Sequence, residues 1–228
     1  MRIIRVVIPA FNEEDAVGKV IDEIPKELVS EIIVVNNNSN DQTRTVAENH
    51  GATVLDEPIK GYGRACLKGI EHINNKYPNT EIVVFLDADY SDYPDELRSV
   101  VKPIIDENID MVIGSRKLGR KEKSSMTPQQ IFGNWLATFL IDKLYKVKYT
   151  DLGPFRAIKL TKLNALKMQD KTYGWTAEMQ VKAAKNKFTS VEVPVNYKMR
   201  IGKSKVSGTL KGTILAGYKI ITTIIKEL

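Results

Sequence analysis

The sequence predicts an α/β fold, a mostly parallel central sheet flanked by helices, and three observations carry that expectation. Short β-branched runs recur at Ile3 to Ile8, Glu31 to Val35, Thr53 to Leu55 and Ile82 to Leu86. Helical patterns at Asp15 to Glu27, Thr43 to Asn49 and Arg64 to Asn75 separate them, the alternation that builds parallel strands with helices on their faces. The composition, 43% hydrophobic beside 27% charged in 228 residues, suits one autonomous domain over 1–228 and not a disordered chain.

The first run, MRIIRVVIP, is interrupted by Arg5 and stopped by Pro9 with no small-residue cleavage site, so it reads as a strand and not a secretory leader. Beyond the fourth run, Pro94-Asp95-Glu96-Leu97 starts a helix, Asp110 to Gly114 forms another strand, and Pro103 is expected to kink or divide the helix between them. A charged, glycine-containing loop follows from Lys117 to Lys123. Gln130 to Lys146 then sets Phe132, Trp135, Leu136, Phe139 and Leu140 at helical spacing. Leu163 to Gln169 and Ala177 to Lys187 read as helices, Ser190 to Tyr197 as extended chain, and the tail from Leu210 as an amphipathic helix. Its apolar run, Thr213 to Ile225, carries Lys219 and is shorter than the ~20 residues that span a bilayer, so no transmembrane segment is expected.

A formal net charge of +6 and a pI near 9.2 favour anionic partners such as phosphates or acidic lipid. Nucleic acid is disfavoured, because the cations are not interleaved with an aromatic platform or a binding motif. One cysteine, Cys66, and two distant histidines, His50 and His72, offer neither a disulfide nor a transition-metal cluster, which implies a reducing, cytoplasmic setting.

In VVFLDAD, Val83 to Asp89, an apolar strand runs into two acids. Side chains alternate along a strand, so Asp87 and Asp89 share a face at the carboxyl edge of the sheet, where open α/β sheets bind ligands. At about 4 Å and an effective dielectric of about 20 two carboxylates repel by about 4 kcal/mol, which a divalent cation shared with a diphosphate reverses. A solvated turn whose acids cap the next helix is the plainer alternative. The first strand ends in Pro9-Ala10-Phe11-Asn12-Glu13-Glu14, a ring that can stack on a base beside acids that can accept from a ribose; an acidic helix N-terminus accounts for the same residues. Asn36 to Thr43 is a polar loop in which capping explains Asp41 and Thr43. Lys60-Gly61-Tyr62-Gly63-Arg64 offers small residues for close backbone approach and a helix start with nearby cations for phosphate. It is no dinucleotide fingerprint, since Cys66 stands where a third glycine belongs.

The ordered set VIPAFNEE, VVNNNSNDQT, KGYGRA, FLDAD and IGSR resembles the family 2 inverting glycosyltransferases of the GT-A fold. GPFRAI, the AEM of GWTAEMQVKA, and RIGKSK resemble the branch containing dolichyl-phosphate mannose and glucose synthases, and the likeness runs from Ile8 to about Lys205. The resemblance implies a nucleotide-sugar-binding half over 1–115, an acceptor-binding half over 116–228, a UDP- or GDP-sugar donor, and Mg2+ or Mn2+. Pro9, Ala10, Phe11 and Glu13 match positions around the base, Val35 and Asn37 the contacts to base and ribose, Lys60 and Gly61 the lysine-glycine turn, and Asp87 and Ala88 further nucleotide contacts. Asp89 matches the metal ligand. Ser91 stands where a glutamine often supplies another, and Asn36 and Asn37 replace the usual one or two aspartates.

In members that glycosylate a sugar hydroxyl, the resemblance implies a Glu-Asp pair whose aspartate takes the hydroxyl proton; here the pair reads Glu178-Met179. A phosphate is already anionic, so the replacement argues for a polyprenyl or dolichyl phosphate acceptor, with Glu178 orienting. Arg116 and Arg156 are the cations for that phosphate, although a salt bridge to Asp151 accounts for Arg156 equally. Arg200 to Lys205 resembles a loop that closes over the donor diphosphate, with Arg200 and Lys205 stabilising the leaving nucleotide; a solvated basic turn is the competing reading. The 130–146 helix and the tail can lie on a membrane through Phe132, Trp135, Phe139, Ile214 and Ile221, which would make the enzyme peripheral at the inner face of the membrane. Packing on the sheet is the default for most of those side chains. A soluble or cell-surface glycan acceptor and a non-catalytic nucleotide-sugar or nucleic-acid binder are the alternatives, and a homodimer stays open.

Overall fold

The computed structural model describes residues 2–202 and 210–227. β1 (Ile4–Ala10), β2 (Glu31–Asn36), β3 (Thr53–Asp56), β4 (Ile82–Phe85) and β5 (Met111–Ser115) alternate with α1 (Val17–Glu23), α2 (Thr43–Asn49), α3 (Tyr62–Lys76) and α4 (Leu97–Glu107). Then come α5 (Pro128–Tyr145), β6 (Arg156–Lys159), α6 (Leu160–Leu166), α7 (Trp175–Lys185), β7 (Ser190–Pro194) and α8 (Leu210–Lys226). The strands form one sheet in the order β3-β2-β1-β4-β6-β5-β7. All neighbours run parallel except β6, which is antiparallel to both β4 and β5.

Alternation along the strands builds a core on each face. Val7, Ile33, Val83 and Phe85 point to one side, where they meet α3 and α7, with the Trp175 ring edge-on to Phe85 at 5.8 Å. Val6, Ile8, Val34, Val84 and Leu86 point to the other, against α1 and α4. Helix α3 comes so close to β1 that a Cβ on Gly69 would lie 2.5 Å from Val7 Cγ1.

Two elements differ from expectation. Strand β6 was hidden in the sequence because Arg156 and Lys159 flank a core of only two apolar residues, yet pairing on both edges holds it in mid-sheet. Pro103 does not divide α4: buried Leu97, Val100, Val101 and Ile104 anchor the helix on both sides of it, and packing overrides the propensity. Helix α5 starts at a reciprocal cap, Thr127 Oγ1 accepting from the Gln130 amide at 3.2 Å while Gln130 Oε1 accepts from the Thr127 amide at 2.8 Å. No described helix is long and apolar enough to cross a membrane.

Candidate active site

The loops that leave the carboxyl ends of β1 and β2 are laced together. The Glu13 amide donates to Thr43 Oγ1 at 2.8 Å, the Asn12 amide to Ser39 Oγ at 3.0 Å, and the Asn40 amide to Asn12 Oδ1 at 2.8 Å. Asn37 reaches the next loop, its Nδ2 donating to the carbonyls of Glu57 and Ile59 while its Oδ1 accepts from the Gly61 amide. The asparagine-rich loop thus shapes the cleft wall by holding residues 57–61. Above this frame lies a cavity of about 270 Å3 lined by nine of the ten residues assigned to the donor: Pro9, Ala10, Phe11, Glu13, Asn37, Lys60, Gly61, Asp87 and Ala88. The tenth, Val35, is fully buried in the core on the α3 side, because its place on β2 turns it into the sheet face and away from the rim. Lys60 Nζ sits 4.2 Å above the Phe11 ring.

The glycines of the KGYG turn serve a protein contact. A Cβ on Gly61 would lie 2.2 Å from the Lys171 carbonyl oxygen and one on Gly63 2.0 Å from that of Asp170. The first amides of α3 are engaged there too, Gly63 and Arg64 donating to the Thr172 and Lys171 carbonyls. The expected phosphate cradle at this helix start is therefore filled by the 170–172 backbone.

Asp87 and Asp89 follow β4 at the centre of the rim. Tyr62 donates its hydroxyl to Asp87 Oδ1 at 3.0 Å, and burial, then the neighbouring Asp89 carboxylate, push the Asp87 carboxyl up to about 7. Asp89 is 7% exposed; its Oδ1 accepts from the Ser91 amide and hydroxyl, and its Oδ2 pairs with Arg200 Nη1 at 3.0 Å. Ser91 is buried behind Asp89 and steadies it, so it does not reach the cleft as a separate metal ligand. The turn is strained, since Tyr90 takes φ +61°, a left-handed conformation costly for an aromatic residue and typical of functional turns. Asp92, next in the turn, is buried with neither carboxylate oxygen hydrogen-bonded.

A second cavity of about 330 Å3 shares Tyr62, Asp87, Asp89, Tyr173 and Arg200 with the first and continues between α5 and α8, past Met126, Asn134 and Ile220. Arg116 lines it. Asp151 grips the Arg116 Nε and Nη2 at 2.8 and 2.6 Å, and the guanidinium lies 5.1 Å from the Tyr197 ring. Burial works against the Asp151 charge, but Arg116 outweighs it and holds the carboxyl below its usual range.

Two expectations for the acceptor side are overturned. Arg156 is wholly buried in β6, donating to the carbonyls of Leu152, Gly153 and Thr176, and burial lowers its pKa to about 10; it braces the loop before the strand and faces no acceptor. Glu178 is 2% exposed and accepts from the Gln169 and Asp170 amides and from Lys182 Nζ, so it caps a loop outside both cavities. Its neighbour Met179 is in the core. Lys205 lies outside the described residues, as does the side chain of Ile214. Tyr62, Tyr173 and Tyr197, which line the shared centre and the acceptor side, carried no signal in the sequence beyond their polar aromatic character.

Among the described residues no three His, Cys, Asp or Glu side chains are grouped to hold a metal ion. Asp89 and Glu13 nonetheless converge on one positive charge, that of Arg200, with Nη1 to Asp89 at 3.0 Å and Nη2 to Glu13 Oε1 at 2.9 Å. Oxygen donors of this kind suit Mg2+ or Mn2+, hard cations that one or two carboxylates hold when a diphosphate and water complete the shell.

Solved structures share this architecture over nearly the whole chain. Glucosyl-3-phosphoglycerate synthase from Mycobacterium tuberculosis, in complex with Mn2+, UDP and glucosyl-3-phosphoglycerate, matches 99% of this chain and 80% of its own with a TM-score of 0.78 at 23% identity, which shows the GT-A fold. The Glycosyl transferase family 2 model matches residues 5–166, and the chain belongs to that family. An uncharacterized glycosyltransferase of M. tuberculosis is 34% identical over 93% of this chain and 94% of its own length. The dolichyl-phosphate hexose transferase of Haloferax volcanii is 28% identical over 97% and 94%. The UDP-N-acetylglucosamine–dolichyl-phosphate N-acetylglucosaminyltransferase of Methanococcus voltae is 27% identical over 96% and 93%.

Proposed function

We propose that this glycosyltransferase moves a hexose, with inversion, from a UDP- or GDP-sugar to a polyprenyl phosphate. The carrying observation is the chemistry of the second cavity, where Arg116 is available to an anion and, among the described residues, the only carboxylates are Asp87 and Asp89. Glu178 and Met179, which fill the pair where a hydroxyl-activating base would stand, are turned away from it. An acceptor that arrives as an anion needs a cation and no base. Asp151 fixes two guanidinium nitrogens of Arg116 and leaves Nη1 for the acceptor. The two relatives named for dolichyl-phosphate transfer support the same class of acceptor.

On the donor side Phe11 and Lys60 offer a stacking surface and a cation, and Asp89, braced by Ser91, is the carboxylate that would hold Mg2+ or Mn2+. Such an ion, when bound, offsets the charge that grows on the departing diphosphate. Arg200 lies beside the same position and contributes a second cation. An exposed aromatic ladder on α5, Phe132, Trp135 and Phe139 with ring centroids 5.7 Å apart, supports a peripheral membrane setting in which the lipid tail stays in the bilayer.

The test is release of UDP or GDP from a panel of sugar nucleotides, with and without Mn2+ and with either a polyprenyl phosphate or a glycan acceptor. Turnover that requires the lipid phosphate is expected. Turnover that ignores the lipid and requires a glycan hydroxyl would overturn the acceptor assignment.

A further inference from the structure

Arg200 occupies an unusual position for a residue that is to meet a diphosphate. Its guanidinium bridges Glu13 at the end of β1 and Asp89 at the end of β4, at 2.9 and 3.0 Å. Two carboxylates from the loops after β1 and β4 thus share one cation. The segment that carries it is fastened to the same turn by backbone bonds, Lys198 N to Ser91 O at 2.9 Å and Ile201 N to Asp89 O at 3.0 Å. Arg200 Nε is buried without a hydrogen-bond partner, a donor that an incoming oxygen would satisfy. Directly beyond, Gly202 takes φ +77°, a left-handed conformation that favours glycine.

We infer that in the ligand-free protein the Arg200 guanidinium stands in for the divalent cation, so that metal and nucleotide enter together and Arg200 passes from Asp89 to the donor diphosphate. The inference rests on the reading of Asp89 as the metal-holding carboxylate. A metal ion arriving alone must displace a guanidinium that makes two charge-assisted hydrogen bonds. A nucleoside diphosphate changes both sides of that exchange: its oxygens complete the shell of a hard cation and also accept the released guanidinium, including the orphaned Nε. Metal and nucleotide affinities are then coupled, and by linkage each tightens the other by the same factor.

The experiment is a Mn2+ titration of the full-length chain followed by electron paramagnetic resonance, without nucleotide and with saturating UDP or GDP. Wild-type protein should bind Mn2+ weakly alone and about 10-fold more tightly with the matching nucleotide, within the usual range of such couplings. In Arg200→Gln the nucleotide-free affinity should rise about 5-fold and the coupling should shrink toward one, whereas Arg200→Lys, which keeps a cation but not the fork, should fall between. Wild-type protein that binds Mn2+ equally well with and without nucleotide overturns the inference even if the variants fail to fold. An Arg200→Gln protein that folds yet gains no nucleotide-free affinity overturns it too. Asp89→Asn separates the two layers: Mn2+ binding unchanged by that substitution sinks the metal reading itself, while its loss, with no gain in Arg200→Gln, sinks only the stand-in role.

Discussion

The proposed donor and acceptor sides of the cleft are built in different ways. The donor side comes from the ends of β1, β2 and β4 and the turn before α3, consecutive parts of an alternating pattern whose polar residues must fall at one sheet edge. The acceptor side draws Arg116 from beyond β5, Asn134 from α5, Thr176 from α7, Tyr197 from beyond β7 and Ile220 from α8. The first is fixed by the sheet, and the second by how helices and loops pack on it. Substitutions on the donor side should therefore touch chemistry with little change in stability, whereas on the acceptor side the two are entangled.

The largest effect is expected at Asp89. Asp89→Asn keeps the shape that Ser91 grips but removes the charge, and turnover should fall about 1,000-fold. The melting temperature should stay within a few degrees by circular dichroism. If the variant unfolds instead, the donor side is as entangled as the acceptor side and the contrast fails.

Asp151 should behave in the opposite way. It is 1% exposed and paired with Arg116, so Asp151→Asn leaves a partly buried guanidinium without its partner, a loss of about 3 kcal/mol at neutral pH. The sign of its pH dependence follows from the depressed pKa. The folded carboxyl titrates below the unfolded value of about 4, so the ion pair stabilises the fold above that value, and the contribution disappears as the pH falls through the folded pKa. Urea denaturation should show wild type and variant far apart at pH 7 and drawing together as the medium becomes strongly acidic. A gap that stays constant as the pH falls would mean that the loss does not come from the charge of Asp151.

The same contrast explains what was legible. Asp87 and Asp89 were placed by alternation and the other strand-end residues by the family resemblance, and where the reading slipped, at Val35, it slipped by a side chain's facing and not by the element. Glycines at 61 and 63 signalled a close approach, but a sequence does not say to what, and the answer is the 170–172 backbone. Arg156 looked like a phosphate cation because nothing in GPFRAI distinguishes a charge satisfied by carbonyls inside a sheet from one facing a ligand. The tyrosines of the cleft were illegible for a further reason: they converge from 62, 173 and 197, and only the packed fold brings them together.

Arg116→Lys probes the acceptor side more gently. A lysine keeps the charge but cannot make the bidentate contact that orients Arg116 on Asp151. The KM for polyprenyl phosphate should rise about 10-fold, while UDP or GDP affinity with Mn2+ is unchanged. An equal loss of donor affinity would mean that the two halves of the cleft act as one site.

The smallest effect concerns the outer face of α5. Phe132, Trp135 and Phe139 are 61%, 53% and 43% exposed, on the side opposite Gly133 and Ala137, so their rings add little to the core. A helix apolar on both faces has an unmet partner on one of them. If that partner is a bilayer, Trp135→Ser should leave the melting temperature unchanged and lower partition onto anionic vesicles about 5-fold, the effect of losing about 1 kcal/mol of interfacial burial. If instead the ladder covers a second copy of the chain, the variant should keep its vesicle binding and shift toward monomer in sedimentation.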